Sequence, residues 1–159
     1  MNPSSSSVYA PLTLRVDVGR QSLEVLQAGQ PLKSYAISTS KYGLGTEEGS
    51  NKTPLGRFVI LDKIGADAPL GMVFKSRLPT GTIATPGGEE DLILTRILRL
   101  NGIDPENANS WDRYIYIHGT NQEEQIGTPA SHGCIRMRNA DIVELFERIS
   151  EGTPLEIVA

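Results

Sequence analysis

Residues 131–137 read Ser-His-Gly-Cys-Ile-Arg-Met (SHGCIRM). Cys134 is the only cysteine in the 159-residue chain, and His132, two positions earlier, is one of only two histidines. The other, His118, follows the apolar run of YIYIHGT (residues 114–120). Three rare residues capable of chemistry therefore fall in one short segment, and the strand-like sequence around them sets the expected architecture.

Upstream, LTLRVDV (Leu12 to Val18) alternates apolar and polar residues, the period of a half-buried strand. GRQ reads as a turn and SLEVLQAG as a second strand, so residues 12–28 are expected to form a hairpin. PLKSYAIS continues as an extended run. Thr39 to Gly56 is a long, glycine-rich segment of the kind that is usually functional or mobile, here a candidate lid. It ends in TPLGRFVIL, where Thr-Pro-x-Gly suits a tight turn and Phe58 to Leu61 a strand. A short strand is expected near Met72 to Lys75 within residues 62–91, which are rich in Gly, Pro and Asp. DLILTRILRL carries both strand and helix character and is assigned to a strand because NGID follows as a turn; RYIYIHGT is a strand ending at His118. The clearest helix runs from Asn139, as cap, to Ser150, with Ile142, Leu145, Phe146 and Ile149 on one face and Gly152 as its stop. TPLEIV is a last strand. The fold class is therefore mainly β (α+β), with one main helix near the C-terminus. Residues 1–8 are read as a loose Ser-rich tail and 9–159 as one domain.

A net charge of −4 with no Lys/Arg cluster argues against a nucleic-acid partner, since nothing neutralises phosphates. No apolar run reaches the ~20 residues of a membrane span. One cysteine cannot form an internal disulfide, so the thiol is free. MNPSSSSVYAPLTL lacks the basic and apolar regions of a secretory signal. With Met1 as the native start the expected compartment is cytoplasmic; with a signal removed it is the periplasm or cell envelope.

A cysteine nucleophile works as its thiolate, and a free thiol has a pKa of about 8.5. A neighbouring histidine can take that proton and return it to the leaving group. Both His118 and His132 qualify, and spacing does not choose between them. Gly133 can adopt backbone angles barred to other residues, which would aim the amides of Gly133 and Cys134 at one point as an oxyanion hole. Losing one such donor costs about 3–4 kcal/mol of transition-state stabilisation. Arg136 could grip a substrate carboxylate in a two-pronged pair. Each residue also has a plainer reading. Cys134 could be a core residue, Gly133 a turn glycine and Arg136 the partner of any of 19 acidic residues. Two histidines and a cysteine could also bind zinc, although no second cysteine or HExxH spacing is present.

IHGT, followed 16 positions later (134 − 118) by the cysteine of SHGCIRM, resembles the signature of the L,D-transpeptidase catalytic domain (YkuD-like) family. Thr53, Pro54, Gly56 and Phe58 resemble that family's Thr-Pro-x-Gly-x-Phe turn, and the likeness spans roughly Leu12 to Val158. The resemblance implies a cradle-like or sandwich mixed β-sheet with one packed helix. It implies Cys134 as nucleophile and His118 as base, with His118 oriented by the carbonyl of Gly119. It makes His132 a supporting residue, Gly133 and Cys134 the oxyanion donors and Ser131 a substrate-site residue, and has Arg136 shape the loop or the substrate site. It implies no cofactor and no metal.

The partner implied is a peptidoglycan stem peptide or muropeptide. The family attacks the bond between diaminopimelate and terminal D-Ala of a tetrapeptide through a Cys thioester. An amine acceptor completes transpeptidation, whereas water gives L,D-carboxypeptidation, and the missing signal shifts weight toward the second as a murein-recycling step. Carbapenems are expected to acylate Cys134. A non-catalytic wall-peptide binder is the rival of a different class, and a binder needs no thiol.

Overall fold

The computed structural model describes residues 10–159. The tail expected over residues 1–8 lies outside the described residues.

β1 (Leu12–Asp17) and β2 (Ser22–Gln27) form the expected antiparallel hairpin, with Leu14 opposite Val25 and Val16 opposite Leu23, all four buried. β3 (Gln30–Ser38) returns against β2 through Ala28 and Gly29, whose φ angles are +52° and +77°. Two consecutive positive φ angles match the twist of a two-residue hairpin turn, which is why a glycine stands there. β4 (Gly56–Ile64) pairs with β7 (Ile93–Gly102), and the hairpin of β5 (Met72–Lys75) and β6 (Leu78–Ile83) hangs from the start of β7. β8 (Tyr116–Gly119) and β9 (Ile135–Met137) run parallel, and β10 (Pro154–Val158) lies parallel to β1 and antiparallel to β4.

The sheet order is β4-β10-β1-β2-β3-β9-β8-β7-β5-β6, and the further β4–β7 pairing closes the run from β4 to β7 on itself. The result is a mainly β, barrel-like cradle. Its interior holds Leu14, Val16, Leu23, Val25, Ile37 and Phe58, with Ile117, Ile135 and Met137 from the central strands and Ile115 just before β8. β7 is buried almost throughout, from Leu94 to Leu100. Burial on both faces removes the alternation that marks a strand, which explains the mixed signal of DLILTRILRL.

Among the described residues one α-helix, α1 (Asn139–Arg148), is present; it buries Ile142, Leu145 and Phe146 and packs on β7 and β8. Each such side chain contributes about 1.5–3 kcal/mol by leaving water. The expected helix bounds are corrected at both ends. The cap position is Arg138, and Asn139 is the first helical residue. Its amide Oδ1 instead accepts from the Thr95 hydroxyl (2.6 Å) and its Nδ2 donates to the Thr120 carbonyl (2.8 Å). Glu123 takes over at the helix start, accepting the Asn139 N–H at 2.8 Å. The helix ends at Arg148 because Ile149 is already extended (φ −113°, ψ 163°), and Gly152 (φ +92°) serves the following turn.

Three further differences concern strands. β6 is exposed along its whole length, so no apolar alternation announced it. β9 is the second half of SHGCIRM itself. β8 begins only at Tyr116, because residues 111–114 form a turn with Tyr114 at φ +57°. Among the described residues no helix is long and apolar enough to cross a membrane.

Candidate active site

The site is built on β8 and β9. Ile117 pairs with Ile135 and His118 with Arg136 in parallel register. Side chains alternate across a strand, so the pleat sends the isoleucines into the core and turns Tyr116, His118, Cys134 and Arg136 to the opposite face. Tertiary pairing thus brings a histidine and a cysteine 16 positions apart (134 − 118) onto one surface.

Cys134 is partly buried beside Phe74, Ile97 and Tyr116. Its thiol donates to the Tyr114 carbonyl (3.3 Å) and accepts the Tyr116 N–H (3.4 Å). Burial pushes the thiol up to about 11, with the Asp91 carboxylate adding to the shift and the Tyr116 amide opposing it. The resting group at neutral pH is therefore the thiol, and a nucleophilic role would require a base beside it. His118 is buried and its Nδ1 lies 2.6 Å from the Gly119 carbonyl. A carbonyl only accepts, so Nδ1 carries the hydrogen and Nε2 keeps its lone pair. Burial holds the ring below the ordinary imidazole range and keeps it neutral.

The segment that carries Cys134 is held from both sides. The Ser131 hydroxyl donates to the Cys134 carbonyl (2.6 Å) and accepts the Gly133 N–H (3.2 Å). Thr53 Oγ1 donates to the Gly133 carbonyl (3.0 Å) and accepts the Ser40 N–H (3.0 Å). Gly133 sits at φ +121°, where a side chain would be strained, and a Cβ there would press on the Lys52 carbonyl. Segment 39–56, a candidate lid or loose surface loop by its length and glycines, is tied to the rest of the domain. Ser40 bridges Ser131, Leu44 bridges Thr53, and Arg113 donates to the Lys52 carbonyl at 2.8 Å.

Three expectations for individual residues are corrected. Ser131 is buried, and its hydroxyl shapes the Cys134 turn instead of meeting substrate. Arg136 is 1% exposed and has no free face for a substrate carboxylate. Its guanidinium is bound to Asp91 (2.8 Å), Gln122 (3.0 Å) and Gln125 (3.1 Å). The Gly133 N–H is taken by Ser131, so the expected pair of oxyanion donors lacks one member in this geometry.

His132 stands at the surface with Nδ1 3.0 Å from Asp91 and its ring 5.8 Å from that of Tyr42. His132 and Cys134 line a cleft of about 300 Å³ with Glu48, Asn51, Arg113 and Tyr114. Among the described residues no three His, Cys, Asp or Glu side chains gather as a metal site.

Asp91 is the residue that sequence reasoning missed. It touches Arg136 and His132 and is held below the usual carboxylate range: burial alone would raise it, but His118, Arg136 and His132 outweigh that. It lies 41 positions before His132 in GEED, and spacing offers no signal for it.

The family model of the L,D-transpeptidase catalytic domain (YkuD) matches residues 11–157. This chain belongs to the L,D-transpeptidase catalytic-domain family. YqjB of Bacillus subtilis, named as an L,D-transpeptidase, is 36% identical over 113 residues, covering 70% of this chain and 55% of its own length. YkuD of the same organism is 27% identical over 147 residues, covering 92% of this chain and 66% of its own. The chain thus spans between half and two thirds of these two relatives. Among solved structures, an L,D-transpeptidase from Mycobacterium smegmatis superposes with a TM-score of 0.61 at 21% identity, covering 94% of this chain and 59% of that one. Another L,D-transpeptidase, solved in complex with imipenem, gives 0.60 at 21%, covering 92% and 58%. At that identity the likeness speaks for the fold.

Proposed function

We propose that this L,D-transpeptidase-family chain is a cysteine acyltransferase acting on peptidoglycan tetrapeptide stems. One observation carries the reading: the only thiol shares a sheet face with a buried, neutral His118 whose bare Nε2 is dictated by the Gly119 carbonyl. The bond attacked is the one between diaminopimelate and terminal D-Ala.

His118 Nε2 takes the proton of Cys134, and the thiolate adds to the diaminopimelate carbonyl. His118 returns the proton to the departing D-Ala nitrogen as the C–N bond breaks, leaving an acyl-thioester. An amine acceptor then yields a cross-link, with the second proton again passing through His118. Water instead yields a trimmed tripeptide. Both outcomes use the same thioester, so the residues that perform the first step serve either, and the hydrolytic outcome would suit a cytoplasmic recycling enzyme.

The test is mass spectrometry of products from a purified disaccharide-tetrapeptide, with and without an added D-amino acid. Exchange of D-Ala or a 3→3 dimer is expected for a transpeptidase, and loss of D-Ala alone for a carboxypeptidase. An unchanged tetrapeptide would sink the proposal. Imipenem should add its mass to wild-type Cys134 and not to a Cys134→Ser variant.

A further inference from the structure

Asp91 is held behind His132, which lines the cleft, by a built frame. Asn121 Nδ2 donates to the carbonyls of Gly87 (2.8 Å) and Glu90 (2.9 Å), and its Oδ1 accepts the Leu92 N–H (3.2 Å). Gln122 Nε2 donates to the Gly88 carbonyl (2.9 Å). Asn121 and Gln122 are both buried, and they follow His118 on the same strand exit. The loop carrying Asp91 is thereby laced to the strand carrying His118. Within this frame Asp91 Oδ1 takes Arg136 Nη2 at 2.8 Å, and Oδ2 faces His132 Nδ1 at 3.0 Å.

We propose that Asp91 is a positioning residue of this site: clamped by Arg136, its carboxylate fixes the His132 imidazole with its hydrogen on Nδ1. Nε2 is then left as a hydrogen-bond acceptor, at the cleft wall, for a peptide N–H of the substrate. The inference rests on the acyl-transfer reading above. The chemistry is one of forced choices. An ionised carboxylate only accepts, so the ring nitrogen facing it carries hydrogen. Arg136 only donates and stays charged, so it demands an acceptor from whatever stands at position 91.

That demand makes the amide variant decisive. In Asp91→Asn the amide oxygen must face Arg136, which turns its NH₂ toward His132 Nδ1. Nδ1 must then accept, and the hydrogen moves to Nε2. The substitution inverts the tautomer while keeping size and shape.

The experiment is a long-range ¹H–¹⁵N imidazole spectrum at a pH of about 8.5, above the ordinary imidazole value of about 6.5. The chain has only two histidines, and His132→Gln assigns them by loss of one signal. In the wild type both rings are expected with hydrogen on Nδ1. In Asp91→Asn the His132 ring alone should switch to Nε2–H, and kcat/KM on the disaccharide-tetrapeptide should fall about tenfold to a hundredfold. Iodoacetamide labelling of Cys134 should not slow. A wild-type His132 with hydrogen on Nε2 overturns the proposal without any variant, as does an unswitched ring in folded Asp91→Asn. A switched ring with unchanged kcat/KM removes the role in the reaction. A wild type that leaves the tetrapeptide untouched defeats the acyl-transfer reading, and the role of Asp91 in the reaction falls with it even if the tautomers are as expected.

Discussion

The Thr53 hydroxyl donates to the Gly133 carbonyl at 3.0 Å, across 80 positions of the chain. The Thr-Pro-x-Gly-x-Phe motif and the SHGC motif are thus one unit: Thr53 holds the backbone beside Cys134 and accepts the Ser40 N–H at the same time. Thr53→Val keeps the shape and leaves one buried donor and one buried acceptor unpaired. We expect a loss of about 1–3 kcal/mol in urea unfolding. A variant as stable as the wild type would refute this account of Thr53.

The Cys134 thiol, raised to about 11 by burial, makes alkaline behaviour readable. The folded state favours the neutral thiol, so its contribution to stability is complete below the unfolded value of 9.0 and is lost as pH rises toward 11. Melting temperature should fall more steeply over pH 9–11 in the wild type than in Cys134→Ser. Iodoacetamide labelling should keep accelerating past pH 9, where an ordinary thiol would level off. Parallel melting curves for the two proteins would contradict the shift.

Arg136 is 1% exposed and pairs with Asp91 while holding Gln122 and Gln125. Arg136→Met leaves a partly buried carboxylate without its cation. Because the carboxylate left behind can still reach water, the loss is expected to be about 1–3 kcal/mol, read from the denaturation midpoint. Arg136→Lys should recover only part of the loss, since one ammonium cannot span Asp91 and both glutamines in the guanidinium's geometry. Full recovery by lysine would show that charge alone matters here.

Gly119 leaves no room for a methyl group: a Cβ would lie 2.7 Å from the Leu94 carbonyl and would also meet Asn139 Oδ1. The carbonyl belongs to β7 and cannot step aside cheaply. Gly119→Ala is expected to destabilise the fold by about 1–3 kcal/mol through overpacking. Because it displaces the carbonyl that fixes His118, it should also cut kcat on the tetrapeptide more than it raises KM. Wild-type melting and turnover together would rule out this crowding.

Much of the fold was legible because its strands obey period-two burial. In β1 and β2 the alternation of Leu14, Val16, Leu23 and Val25 follows from one face meeting the core and the other meeting water. The hairpin turn and the apolar stripe of α1 are equally local effects. β6 escaped because it has no buried face, and β9 because three residues are too few to show a period. The helix start was misplaced because Asn139 found better partners in Thr95 and Thr120 than its own helix could offer.

At the site, the sequence by itself determined the chemistry available: one thiol, two imidazoles and a glycine at the turn, in a pattern that marks the family. Only the tertiary structure decided how those groups are employed. The parallel register of β8 and β9 put His118 and Cys134 on one face, and the Gly119 carbonyl chose the tautomer of the ring. Arg136 and Ser131, read as substrate contacts, were drawn inward because a buried guanidinium and buried backbone groups need partners that solvent cannot supply there. Asp91 entered from a loop with no motif of its own. Local patterns can be read along a chain, but a hydrogen bond between residues 41 or 80 positions apart exists only once the sheet has closed.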